Sequence, residues 1–372
     1  MNTTPPKPPS ARRQSLRRRM GCALALLLLG LGAIAGEVLL RALAPESAYT
    51  GHGMYVADPD LSYRLLPGHE HGDVAINSHG LRDPERPQEK PAGVKRVLVL
   101  GDSFTFGSGP LDPAHGFVRG LEARLGPEVQ AINSGVPGWG TVQQAAWLER
   151  DGLAWEPDAL VVAFFVGNDV WENQHPATKD VLNGELIERG EPKQHSWWRV
   201  TRNKSRLYRL FKELPSHVGD AFTGDSNQAR WYHRIERTRM GVCSTVDAEA
   251  WEPGWTATRE ALAKVKALAG SRPCVLLVIP DEFQVDPALR EAVAARWDLN
   301  LADYDWELPQ RRLAALAEEL GYTHLDLLEE LRARTAAGEE QYLPFDSHWN
   351  QHGNALAAER LAELPALANL GG

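Results

Sequence analysis

Five short apolar runs, at 96–100, 129–133, 159–166, 275–280 and 323–327, alternate with helix-like stretches at 117–125, 141–151, 256–269, 309–320 and 353–364. Continuous apolar runs belong to strands covered on both faces, and strands alternating with helices predict a parallel sheet between helical layers. The expected class is α/β, with five parallel strands in one domain. Ligands of such sheets bind beyond the carboxyl ends of the strands, so the residues that follow each run are the ones to read for chemistry.

The first run continues as VLVLGDSFTFGSG over 97–109, which places Ser103 just past a strand end. Three common motifs fail here. A dinucleotide fingerprint needs G-x-G-x-x-G, but five residues separate Gly101 from Gly107; a P-loop needs a lysine where Ser108 stands. The G-x-S-x-G elbow is also absent, since Ser103 lies in Gly101-Asp102-Ser103-Phe104-Thr105.

The N-terminus differs from the rest. Residues 1–19 hold Lys7, Arg12, Arg13, Arg17, Arg18 and Arg19 with no acid, and their proline and serine content predicts disorder. Residues 20–36 then run for 17 positions without a charge, and Val38 to Leu40 resume the apolar character after Glu37. A spanning helix needs about 20 residues, and a basic flank stays cytoplasmic. The expectation is a transmembrane signal anchor over 20–42 in the inner membrane, with everything after it outside the cytoplasm. The competing reading is a cleaved signal peptide, because Ala33-Ile34-Ala35 resembles a signal-peptidase site and cleavage near Ala35 would release a secreted protein. Cys22 precedes the apolar run, which argues against lipidation.

The chain carries −9 and residues 1–36 carry +6, leaving −15 for the remainder. Such an acidic domain has no electrostatic case for binding nucleic acid. No zinc-like Cys/His spacing occurs, so no metal is expected. Cys243 and Cys274 can pair in an oxidising compartment, but Cys274 opens an apolar run and a buried free thiol fits it better.

Residues 43–93, rich in proline, glycine and histidine, read as a loop-rich lead-in with one short strand at 74–77. The main domain is expected over 94–366. Within it, residues 170–253 break the rhythm and are too long for a connection, which predicts an insert of small helices over one sheet edge. Its Trp197, Trp198, Tyr208, Phe211, Trp231 and Tyr232 either line a groove or, as aromatics usually do, cement the insert.

Three further blocks belong beside Ser103. These are Asn133-Ser134-Gly135 after the second run, Gly167-Asn168-Asp169 after the third, and Asp346-Ser347-His348-Trp349-Asn350 before the last helix. Together with Gly101-Asp102-Ser103-Phe104 they resemble the SGNH (GDSL-type) hydrolases over residues 96–364. The resemblance implies a flavodoxin-like three-layer sandwich and ester hydrolysis or acyl transfer by a serine nucleophile, with no organic cofactor. It also implies an oxyanion hole of the Ser103 and Gly135 N–H groups and the Asn168 side chain. Many members carry Asp-x-x-His; the Asp346-x-His348-Trp349-Asn350 spacing is similar to a membrane-associated bacterial branch that includes alginate-type O-acetyltransferases.

The residues support the chemistry independently of the name. A serine hydroxyl needs a base, and the base needs a third group to fix its tautomer. His348 and Asp346 supply both. Each residue also has a structural reading: Ser103 as a helix cap, Asp102 as a loop tie, Asn168 as a turn residue, Asp169 as a cap of the insert, and Asp326 as a strand end. His352 is the rival base, one helical turn after His348. The expected function is an exported serine esterase or O-acyltransferase acting on acyl esters, with acetyl on carbohydrate as the leading substrate. The alternative is a non-catalytic carbohydrate-binding or scaffold protein of an envelope polysaccharide system.

Overall fold

A computed structural model describes residues 11–43, 53–109, 113–190, 205 and 227–371. Its centre is one sheet of five strands: β1 (Lys95–Leu100), β2 (Val129–Asn133), β3 (Ala159–Phe165), β4 (Cys274–Ile279) and β5 (Thr323–Asp326). All neighbours pair in parallel, in the order β2-β1-β3-β4-β5. This is the flavodoxin-like arrangement, and the strand order reverses beside β1.

Both faces of the sheet are apolar, and the two-residue repeat of a strand separates them. In β3, Leu160, Val162 and Phe164 join one core with α2 (Thr141–Arg150), α3 (Glu252–Ala269) and α4 (Leu308–Leu320). Val161, Ala163 and Phe165 join the other core with α1 (Phe117–Leu125), α5 (Leu328–Ala336) and α6 (Gln351–Glu363). The expected three-layer α/β sandwich is present.

The lead-in is more ordered than its composition suggests. Two short hairpins form, Tyr55–Asp58 with Ser62–Leu65 and Glu70–His71 with Val74–Ala75. Leu61, Tyr63 and Leu65 are buried in the α2-side core, and Trp139 Nε1 donates to the Tyr63 carbonyl at 3.1 Å. Arg96 on β1 is fully buried and ties the preceding segment of the lead-in to the sheet, donating to the carbonyls of Gln88 (2.6 Å), Pro87 (2.8 Å) and Trp155 (3.0 Å).

The described part of the insert is not all helical. Between helix Asp169–Gln174 and helix Asn227–Met240 lies a hairpin of Lys179–Leu182 and Glu185–Glu188. Its turn is Asn183-Gly184, both with positive φ, the pair that a two-residue hairpin loop favours. Trp197, Trp198, Tyr208 and Phe211 lie outside the described residues. Cys243 and Cys274 are both buried and free.

A helix runs Ala11–Leu43, beginning inside the stretch expected to be disordered, because the prolines stop at Pro9 and Arg, Gln and Leu are good helix formers. Among the described residues no helix is long and apolar enough to cross a membrane. The transmembrane anchor over 20–42 is therefore not supported.

Replacing Arg96 with methionine strips donors from three carbonyls, of which that of Trp155 is buried. Urea unfolding is expected to show a loss of roughly 3 kcal/mol, within the range for hydrogen bonds to a charged group.

Candidate active site

Ser103 opens a four-residue helix, Ser103–Phe106, directly after β1. The buried Asp102 caps it, accepting the Phe104 N–H at 2.9 Å, and Gly107 ends it in the left-handed region. At its carboxyl end Arg82 of the lead-in donates to the carbonyls of Phe106 (3.1 Å) and Gly107 (2.6 Å). The serine is thus held at both ends of one helical turn.

His348 arrives from far along the chain on a short hairpin, Tyr342–Leu343 with Asp346–Trp349. Local sequence explains the arrival. Trp349, fully buried, packs edge-on against Phe104 and Phe117 with ring centres 5.2 and 6.3 Å apart, and Asn350 caps α6 by accepting the N–H groups of His352 and Gly353. The imidazole Nε2 lies 2.7 Å from Ser103 Oγ, and Nδ1 lies 2.5 Å from Asp346 Oδ1. The same Asp346 oxygen accepts the His348 backbone N–H at 3.0 Å. With Nδ1–H donated to the carboxylate, Nε2 is left to accept the serine hydroxyl.

The other two blocks close around this helix. A Cβ on Gly135 would lie 2.2 Å from Phe106 N, so the second-block loop packs where only glycine fits. The close approach is to the serine helix itself. The Gly135 N–H is engaged by Asn133 Oδ1 at 3.0 Å. Asn168 precedes helix Asp169–Gln174, and its side-chain amide helps hold the Asp102 carboxylate. A Cβ on Gly167 would lie 2.0 Å from Asp281 Oδ2, a second close approach. Asp169 reaches back to the strand end, its Oδ2 accepting the Phe165 N–H at 2.8 Å.

His352 is exposed and lies with its Nδ1 3.3 Å from the Glu340 carbonyl, facing away from the serine. Asp326 ends β5 and accepts the Leu328 N–H at 3.0 Å.

Two groups beside the site have no motif. Arg82 sits in a loop, and a cluster of Glu236, Arg239 and Asp281 lies between the insert and the β4 end. Asp281 follows an apolar run directly, and the strand-end rule points to it; nothing in the sequence separates Arg239 from an ordinary charged helix face.

With the geometry in place, comparison is informative. The GDSL-like Lipase/Acylhydrolase family matches residues 99–356. The chain belongs to that family. It is accordingly an ester-hydrolysing enzyme. No curated protein matches it. Among solved structures it is similar to an acetyl xylan esterase at 16% identity, covering 72% of this chain and 97% of that one with a TM-score of 0.39. It is also similar to a lipase/acylhydrolase from Enterococcus faecalis (15% identity, 72% and 93% coverage, TM-score 0.37) and to a carbohydrate acetylesterase from Sinorhizobium meliloti (13% identity, 72% and 97% coverage, TM-score 0.36).

Burial raises several carboxyls, three of them toward neutral pH. Glu172 is pushed up to about 7 by burial with the nearby Asp102 and Glu188 adding to it, Glu282 to about 8 by burial with Asp281 adding, and Asp326 to about 6 by burial. Each keeps its proton in the folded chain at pH values where the unfolded chain has lost it. Their stabilisation is complete below the unfolded values of 4.5 and 3.8 and is lost as pH rises through about 6, 7 and 8. The urea midpoint is therefore expected to fall between about pH 5 and pH 8.5, and Glu172→Gln is expected to flatten that slope.

Proposed function

We propose that this hydrolase works through a Ser103 nucleophile, a His348 base and an Asp346 that orients it, forming an acyl-enzyme on Ser103. The single observation that carries the reading is the unbroken hydrogen-bonded chain from Ser103 Oγ through His348 to Asp346, with links of 2.7 and 2.5 Å. His348 takes the serine proton as Oγ attacks the ester carbonyl, and returns it to the departing alkoxide. The oxyanion is met by the Ser103 N–H and the Asn168 amide, with the Gly135 N–H joining once it turns from Asn133.

The substrate class is an acyl ester, with acetyl on carbohydrate the first to test because the Asp346-x-His348-Trp349-Asn350 spacing resembles the O-acetyltransferase branch. The acyl group passes to water or to a sugar hydroxyl; free acetate from an acetyl ester, undiminished by an added oligosaccharide, identifies the esterase. The basic stretch 1–19 followed by the apolar 20–36 supports work outside the cytoplasm. N-terminal sequencing of protein recovered from the cell envelope or medium tests this: a start near residue 36 means release, and an intact N-terminus found only in cytosol rejects export.

A serine-directed fluorophosphonate is expected to label Ser103 in the wild type and not in Ser103→Ala. Ser103→Ala and His348→Ala are each expected to lower ester hydrolysis by about 10³-fold or more, while His352→Ala stays within about twofold. Hydrolysis that survives Ser103→Ala defeats the assignment, and a folded wild type that is neither labelled nor active favours the non-catalytic scaffold.

A further inference from the structure

We propose that Arg239, on the insert helix Asn227–Met240, is a positioning residue that sets the placement of His348 by gripping Ser347 from the opposite face of the hairpin strand. The inference rests on reading Ser103 and His348 as nucleophile and base. Successive side chains of a strand point to opposite sides. In Asp346–Trp349 the side chains of 346 and 348 meet each other and His348 reaches Ser103, while Ser347 and Trp349 are buried on the other face. Ser347 is 4% exposed, and its Oγ accepts a hydrogen bond from Arg239 Nη1.

The guanidinium is itself held firmly. Nη1 also donates to Glu236 Oε1 at 3.0 Å and lies 3.7 Å from Asp281 Oδ2, and both carboxyls are fully buried. Its plane sits 5.2 Å over the ring of Phe165, Phe165 packs on Phe104 at 4.4 Å, and Phe104 lies 5.0 Å from the His348 ring. One cation therefore braces two supports of the imidazole, the backbone on either side of Ser347 and the aromatic floor. Burial and the neighbouring Asp281 hold the Glu236 carboxyl well above its ordinary range, and the two carboxyls share a side-chain hydrogen bond. Arg239 is the cation set against this carboxyl pair, and a lysine in its place lacks the planar guanidinium that stacks over Phe165.

The experiment uses the full chain and measures hydrolysis of p-nitrophenyl acetate together with the rate of fluorophosphonate labelling. Ser347→Ala, which leaves Arg239 with both carboxyls, is expected to lower kcat and labelling about tenfold or more with KM within about twofold and an unchanged melting temperature. Arg239→Lys is expected to fall between wild type and Arg239→Met. In the double variant Ser347→Ala/Arg239→Met the loss is expected to equal that of Arg239→Met alone, since the serine acts only through the arginine. Should Arg239→Met fail to fold, Ser347→Ala alone decides. A labelled wild type with Ser347→Ala at wild-type kcat overturns this proposal and leaves the nucleophile standing. A wild type unlabelled at Ser103 overturns both.

Discussion

A contact of 2.7 Å between the imidazole of His348 and the hydroxyl of Ser103 joins positions 245 residues apart in the chain. Neither group is brought there by its neighbours in sequence. The serine is placed by the end of β1, and the imidazole by a hairpin that leads into α6. Since α6 packs on α1 and both lie on the same sheet face as β1, the apolar core that assembles this face also sets the gap between the two groups. Side chains in such cores sit in fixed positions, so a shift of the α6 layer translates into a shift of the base.

Sheet packing brings the groups to the same rim, but two cations from outside the alternating βα units hold them there. Arg82 binds the carbonyls that end the serine helix, and Arg239 binds the strand that carries His348. Their environments differ. Arg82 meets carbonyl oxygens and the face of Phe106 at 4.6 Å, whereas Arg239 is set among buried carboxyls. A buried charge needs compensation, and each arginine finds it in groups that have to be fixed for the site to exist. The lead-in and the insert, which look peripheral by composition, thereby contribute to the centre.

Much of the sheet was legible because its strands are covered on both faces. A run such as 159–166 has no amphipathic ambiguity, and the structure realises it as Ala159–Phe165. The meeting of Ser103, His348 and Asp346 was legible because a hydroxyl, an imidazole and a carboxylate stand in blocks that such a sheet brings to one rim. Shorter elements escaped. The Tyr342–Leu343 strand is too brief to show a period, and the insert hairpin was overlooked although Asn183-Gly184 announces its turn. Helices Pro287–Trp297 and Leu328–Ala336 also went unread, because their charged faces dilute the apolar spacing. At the N-terminus a basic flank and an apolar run suggested a crossing, and among the described residues no helix is long and apolar enough to make one.

The division between what was legible and what was not has a physical meaning. Groups that exchange a proton with substrate are limited to a few residue types, so they leave motifs. Groups that hold those residues in place can be any donor with the right reach, and they leave none. Asp102, Asp169, Glu236 and Asp281 are all fully buried around the serine and the hairpin, and burial alone makes each of them costly. Part of the cost is offset by the Phe104 and Phe165 N–H groups and by Arg239. A rim this polar is sustained by the apolar sheet beneath it, and it concentrates the marginal interactions of the fold where Ser103 and His348 meet. The precision of the Ser103 to His348 contact therefore depends on residues that a motif search passes over.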